Sequence, residues 1–218
     1  MAEAIPYTIR RSPRARRVSV TVDPSDGVEV VLPDRARDRE AAAAIRELRP
    51  WIERRLRTLA RARAELGRRE GFVPYLGEAL ELRPDPRRER VARRGDALLV
   101  PAGDHVPALE RWYRRRARAE IEPRLERACD AAGHELRGLS IRGQRTRWAS
   151  CSPTGSMSFN WRLLLAPAPV LEAVVWHEVC HLDVPDHSPR FWKLLQKRCP
   201  EYREHQRWLK RYGAHLTL

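Results

Sequence analysis

One segment constrains the fold more than any other. Val170, Leu171, Val174, Val175 and Trp176 are apolar at helical spacing, and Pro167, Pro169 and Pro185 bound the run. A proline in the first helical turn costs no hydrogen bond, and one beyond the end stops the helix, so the pattern predicts one buried helix. Its apolar face runs directly into His177-Glu178-Val179-Cys180-His181. Side chains four apart lie one above the other on a helix, so both imidazoles project to one side and can grip a single divalent cation. Glu178 then faces the open side, where a carboxylate can take a proton from water. Zinc needs a third protein ligand if it is to hold firmly and keep one position free. His187, past the expected helix stop at 183–185, is the candidate, because a chain reversal there brings it beneath the metal. The competing reading makes His177 and His181 ordinary buried or capping histidines and His187 a surface-loop residue. It leaves Glu178 as a buried charge with no purpose.

The rest of the chain is mixed α+β. Alternating apolar residues predict strands over 7–10, 17–22 and 28–32, with a hairpin turn at Asp23-Pro24-Ser25-Asp26-Gly27. From Asp38, Ile45, Leu48, Ile52, Leu56 and Leu59 follow helical spacing, with Pro50 expected to end one helix and begin the next. Short antiparallel strands are predicted over 79–82, 90–91 and 97–100. Pro101 and Gly103 then suggest a joint, giving a β-rich N-terminal unit with a helical insertion, 1–103, and a second domain, 104–218. In the second, Leu109, Tyr113, Ala117, Ile121 and Leu125 repeat along a long helix. A strand over 139–142 and a hairpin, 147–152 with 156–163, precede the apolar helix. Ser188-Pro189 reads as the N-cap of a further helix closed by Pro200, and a last helix runs over 201–213.

Forty-three basic against 29 acidic residues give a formal charge of +14, which favours a polyanionic partner. All but three of the basic residues are arginine, however, as GC-rich coding would produce, so a solvated arginine coat competes evenly with a nucleic-acid footprint. Arg111, Arg114, Arg115, Arg116 and Arg118 of the long helix read as a solvent face, because no aromatic residues are interleaved for stacking on bases. No segment has the length and apolarity of a leader or a membrane span, and Cys129, Cys151, Cys180 and Cys199 form no C-x-x-C pair. The expectation is a cytoplasmic protein with reduced thiols and no membrane partner.

Several short stretches together carry a resemblance: Arg147-Trp148-Ala149-Ser150-Cys151-Ser152, Asn160-Trp161-Arg162-Leu163, Ala166-Pro167, Val174-Val175-Trp176-His177-Glu178 with His181, and His187-Ser188 with Phe191-Trp192. The chain resembles the YgjP-like metallopeptidase domain, which is grouped with the SprT-like and WLM zinc proteases. The likeness is dense over 139–210 and looser upstream, at Tyr75-Leu76-Gly77 and Arg10-Arg11-Ser12. It implies a zincin-like fold over 104–218 with Zn2+ held by His177, His181 and His187. Two positions depart from the family pattern: Ala149 replaces a glycine, and Cys180 stands where a small residue is common, either as a packed thiol or as an added soft ligand.

The leading expectation is a zinc metallopeptidase acting on a peptide or protein, with Glu178 as general base and the strand within 156–163 offering an edge for an extended substrate. Arg147, Asn160 and Tyr202 are candidate donors to the carbonyl oxyanion. The alternative is a nucleic-acid-associated zinc protein, including a DNA-linked protease of the SprT/WLM type. The sequence does not specify the oligomeric state.

Overall fold

A computed structural model describes residues 4–24, 26–67, 69–144 and 146–218. Met1 and Ser25, both within segments read above, lie outside the described residues. The fold is α+β, with five α-helices and three small sheets among the described residues. It divides into two compact units, Met1–Gly67 and Arg68–Leu218.

In the first unit β1 (Thr8–Ser12), β2 (Ser19–Asp23) and β3 (Gly27–Pro33) form a sheet in the order β1-β3-β2. The predicted hairpin is β2–β3, with Val22 opposite Val28, while β1 pairs with β3 in parallel. Helix α1 (Asp38–Leu66) begins where the Arg37 amide donates to Glu40 Oε1 at 2.9 Å and ends at Gly67, whose φ of 55° only glycine adopts freely. Its Ile45 and Ile52 are buried with Val28, Val30 and Leu32. One correction concerns Pro50, which lies inside a continuous helix instead of separating two. Pro50 and Arg46 are both exposed, so the Arg46 carbonyl that the missing N–H leaves free can be hydrated, and the buried isoleucines on either side keep the helix in line.

The second unit carries the apolar segment. Strands β4 (Phe72–Tyr75), β5 (Glu78–Pro84), β6 (Ala92–Arg94) and β7 (Ala97–Val100) are ordered β4-β5-β7-β6. The third strand begins at Ala92, not at 90, and β5 and β7 run parallel, contrary to the antiparallel expectation. Val73, Leu80 and Leu98 of this sheet share one core with Leu109 and Tyr113 of α2 (Val106–Ala132) and Val170 and Val175 of α3 (Ala168–Asp183). The joint expected at 101–103 therefore lies within a single core, and the compact units part at Gly67.

Two features fix α3. The turn between β4 and β5 puts Leu76 at φ 52° and Gly77 at φ 98°, a left-handed pair suited to a two-residue hairpin. The Leu76 amide donates to the Leu164 carbonyl at 2.7 Å, and the Leu76 carbonyl accepts from the Ala168 amide at 3.2 Å. This turn thus anchors the first residue of α3. At the other end, Val184 leaves helical geometry at φ −137°, and Pro185 prevents continuation. Strands β8 (Leu139–Arg142), β9 (Ala149–Cys151) and β10 (Met157–Asn160) form the third sheet in the order β8-β10-β9. The sequence reading placed a substrate edge within 156–163, but β10 is the central strand, paired on both sides. The open edge nearest α3 is that of β9. Helices α4 (Pro189–Arg198) and α5 (Tyr202–Tyr212) complete the unit.

Candidate metal centre and cleft

The spacing of His177 and His181 puts their rings 4.9 Å apart on α3, and the reversal through residues 184–188 brings the His187 ring within 5.0 Å of one and 4.7 Å of the other. One nitrogen from each lies within 4.8 Å of the others, and the Nε2 atoms of His177 and His187 are 3.0 Å apart. Two imidazoles sharing one tetrahedral zinc stand roughly 3.3 Å apart at Zn–N distances of about 2.0–2.1 Å. Burial, with the nearby His181 and His187 charges, pushes His177 down to about 4, and burial also lowers His181. Three imidazole nitrogens converging on one point offer the donor set a divalent cation takes, so this cluster fits a metal.

The surrounding residues hold the rings in place. His181 Nδ1 lies 3.2 Å from the Val184 carbonyl; a proton there donates outward and leaves Nε2 for the cluster. Phe191, fully buried, stacks on His181 at 4.5 Å, and Trp192 stacks on His187 at 5.5 Å. Asp186 accepts hydrogen bonds from the amide and hydroxyl of Ser188, which hold its carboxyl below the usual range. Ser188 occupies the N-cap position of α4 without a side-chain cap bond, because its hydroxyl serves this turn.

Glu178 is only 5% exposed, and burial pushes its carboxyl up to about 7, partly offset by a hydrogen bond from the Cys151 amide. That amide is available for a structural reason. The Asn160 amide donates to Trp148 O, and the Ser152 amide donates to Ser156 O, so the even-numbered residues of this stretch face β10 while Ala149 and Cys151 turn their backbone groups outward. Nothing in the residue pattern signals such a backbone partner. Cys180 is buried among Val184, Phe191 and Leu195, and its sulfur lies 3.7 Å from an Arg198 nitrogen, so it is a packed thiol outside the histidine cluster. All four cysteines are free.

A cleft of about 680 Å³ opens beside His177 and Glu178. Residues 146–149, α3 and α5 line it, with Arg147 and Tyr202 both on its wall. Asn160 is not available as an oxyanion donor: it is 3% exposed, and its Nδ2 donates to the carbonyls of Gln144 at 2.7 Å and Arg147 at 3.3 Å. It shapes the loop that carries Arg147. The contribution of α5 to the cleft was not foreseen, apart from Tyr202, since nothing in a C-terminal amphipathic helix marks it as a wall.

Three arginines of the basic face of α2 are paired along the helix, while Arg111 and Arg115 are exposed. Arg114, Arg116 and Arg118 bond to Glu110, Glu120 and Glu122, each one turn away. This is the arrangement of a solvated helix face. Among the described residues, no helix is long and apolar enough to cross a membrane.

No curated protein matches the chain. Among solved structures, the metallopeptidase zymogen abylysin of Pyrococcus abyssi is similar over 43% of this chain and 95% of its own, at 25% identity and a TM-score of 0.38. The family model for the YgjP-like metallopeptidase domain matches residues 16–212, so the chain belongs to the YgjP-like metallopeptidase family.

Proposed function

We propose that the protein hydrolyses peptide bonds as a zinc enzyme, with His177, His181 and His187 as the metal ligands and Glu178 as the general base. The observation that carries this reading is the convergence of three imidazole nitrogens within 4.8 Å beside a buried carboxylate that opens on a cleft. Zinc held there supplies Lewis acidity, acidifying water and polarising a carbonyl oxygen. Glu178 takes the proton from the attacking water and returns it to the departing amine. The Cys151 amide fixes which way the carboxylate points. Arg147 and Tyr202 remain the candidate groups for the oxyanion. The edge of β9, next to Glu178, replaces β10 as the strand along which an extended substrate would pair. The paired charges of α2 lend the nucleic-acid alternative no support.

Two measurements test the proposal. Metal analysis of the purified protein should find about one zinc per chain, with most of it lost in His187→Ala. Glu178→Gln should retain zinc and lose hydrolysis; turnover that survived the change would remove Glu178 from the mechanism.

A further inference from the structure

The cleft has an uneven charge. Arg147 stands on one lining segment, and His205, Arg207 and Lys210 on α5; the single carboxylate among the described lining residues is Glu178. These cations differ in their surroundings from the paired arginines of α2. Arg114, Arg116 and Arg118 each have a glutamate at hydrogen-bond distance. Arg207 donates its Nε to the Arg203 carbonyl at 3.3 Å, and Arg147, Arg207 and Lys210 make no ion pair among the described residues. All three are exposed. Cations left without counterions along the wall of a concave site concentrate positive potential there.

Part of the lining is apolar: Val170, Ala173 and Val174 of α3, with Leu195 and Leu209. A concave, partly apolar cleft suits side chains, whereas a polynucleotide needs aromatic platforms beside the charge. Tyr202 is buried and stacked on Trp192 at 5.8 Å, and a Cβ added at Gly213 would meet the Trp148 ring at 2.8 Å. Tyr202, being buried, offers no free face for a base.

We propose that this cleft selects peptides carrying a carboxylate near the scissile bond, bound by Arg207 and Lys210. The carboxylate comes from an Asp or Glu side chain or from the terminus of the substrate chain. The inference deepens the peptidase reading and rests on it, but it concerns binding and is measured without turnover.

The test uses full-length, zinc-loaded Glu178→Gln protein and fluorescently labelled hexapeptides matched in length, bearing two Glu, two Gln or two Lys, each as free acid and amide. By anisotropy at about 20 mM NaCl the Glu peptides should bind about tenfold more tightly than the Gln peptides, and the Lys peptides most weakly. The preference should shrink at about 0.3 M NaCl. It should vanish when Arg207→Gln and Lys210→Gln are added, and persist with Arg111→Gln and Arg115→Gln, which remove the same charge from α2. If amidation abolishes the advantage, the terminal carboxylate is the group recognised; if not, it is the side chain. Equal binding of Glu and Gln peptides, no binding of any peptide, or a preference that survives the double change would overturn the proposal. So would a single-stranded oligonucleotide that displaces the Glu peptide and loses affinity in the same double variant, which would make the cleft a nucleic-acid site. Hydrolysis by the unaltered protein is assayed separately: absence of turnover on every peptide removes the peptidase reading, whereas turnover without charge preference removes only this inference.

Discussion

Two glutamates on the packed helices α2 and α3 meet opposite fates. Glu120 of α2 is tied by three side chains: it accepts from the Tyr75 hydroxyl at 2.8 Å, Arg116 at 2.9 Å and Arg124 at 2.7 Å. Burial works to raise its pKa, yet the Arg124 and Tyr75 hydrogen bonds and the two arginine charges outweigh it and hold the carboxyl below its usual range. Glu178 of α3 has the Cys151 amide and no cationic side chain among the causes of its shift, and it is pushed up to about 7. Burial penalises both; partners decide the sign. A carboxylate surrounded by cations stabilises a fold, while one left poor in partners keeps a proton within reach near neutral pH and suits proton transfer.

Four measurements would sharpen or break this contrast. The largest difference should appear in activity: Glu178→Gln should reduce kcat/KM on a susceptible peptide by about 10³-fold or more, as expected for loss of a general base, whereas Glu120→Gln should leave it within about threefold. Comparable losses in both would mean that the two carboxylates are not functionally distinct. Next comes metal affinity. Replacing Phe191, the ring stacked on His181, with Ala should weaken zinc binding by about 10–100-fold in competition with a chelator, and Phe191→Leu should recover part of it.

Stability should order the two glutamates the other way. Glu120→Gln should cost about 1–3 kcal/mol in urea unfolding, since Tyr75, Arg116 and Arg124 are left with a neutral partner. Glu178→Gln, which removes a poorly compensated buried charge, should cost less or stabilise the chelator-treated protein. The smallest effect is in pH. The folded-state pKa of Glu120 is depressed, so its contribution is complete above the unfolded value of about 4.3 and is lost as pH falls through the lower folded value. Glu120→Gln should therefore flatten the acid limb of the stability curve below about pH 4.5, while leaving the difference between pH 6 and 8 unchanged.

Much of the site was legible because it is local. The i,i+4 spacing puts His177 and His181 on one face whatever surrounds the helix, and Pro185 forces a reversal that makes His187 available. Pro185 and Pro200 likewise mark where helices end, because the limits of a proline backbone are intrinsic. Pro50 shows where this reasoning fails. The cost of an internal proline is fixed by chemistry, but whether the helix breaks depends on the packing of Ile45 and Ile52 around it. The strand at 157–160 was correctly foreseen and misplaced within its sheet, since a period of two identifies a strand but says nothing of its neighbours. The expected joint at 101–103 failed for a similar reason: turn residues mark a change of direction, and only the shared core of Leu98 with Leu109 shows that no boundary lies there.

The sequence by itself picked out the three histidines that converge, Glu178 and the helix that carries the motif, because those depend on identities and spacings within a few residues. Tertiary structure alone decided what Glu178 is next to: an outward-facing amide on β9 instead of a cation, and a cleft whose far wall is α5. The physical reason is range. Backbone geometry acts over one or two turns and is written in order along the chain, whereas desolvation and electrostatic environment are set by groups that sequence separates and folding brings together.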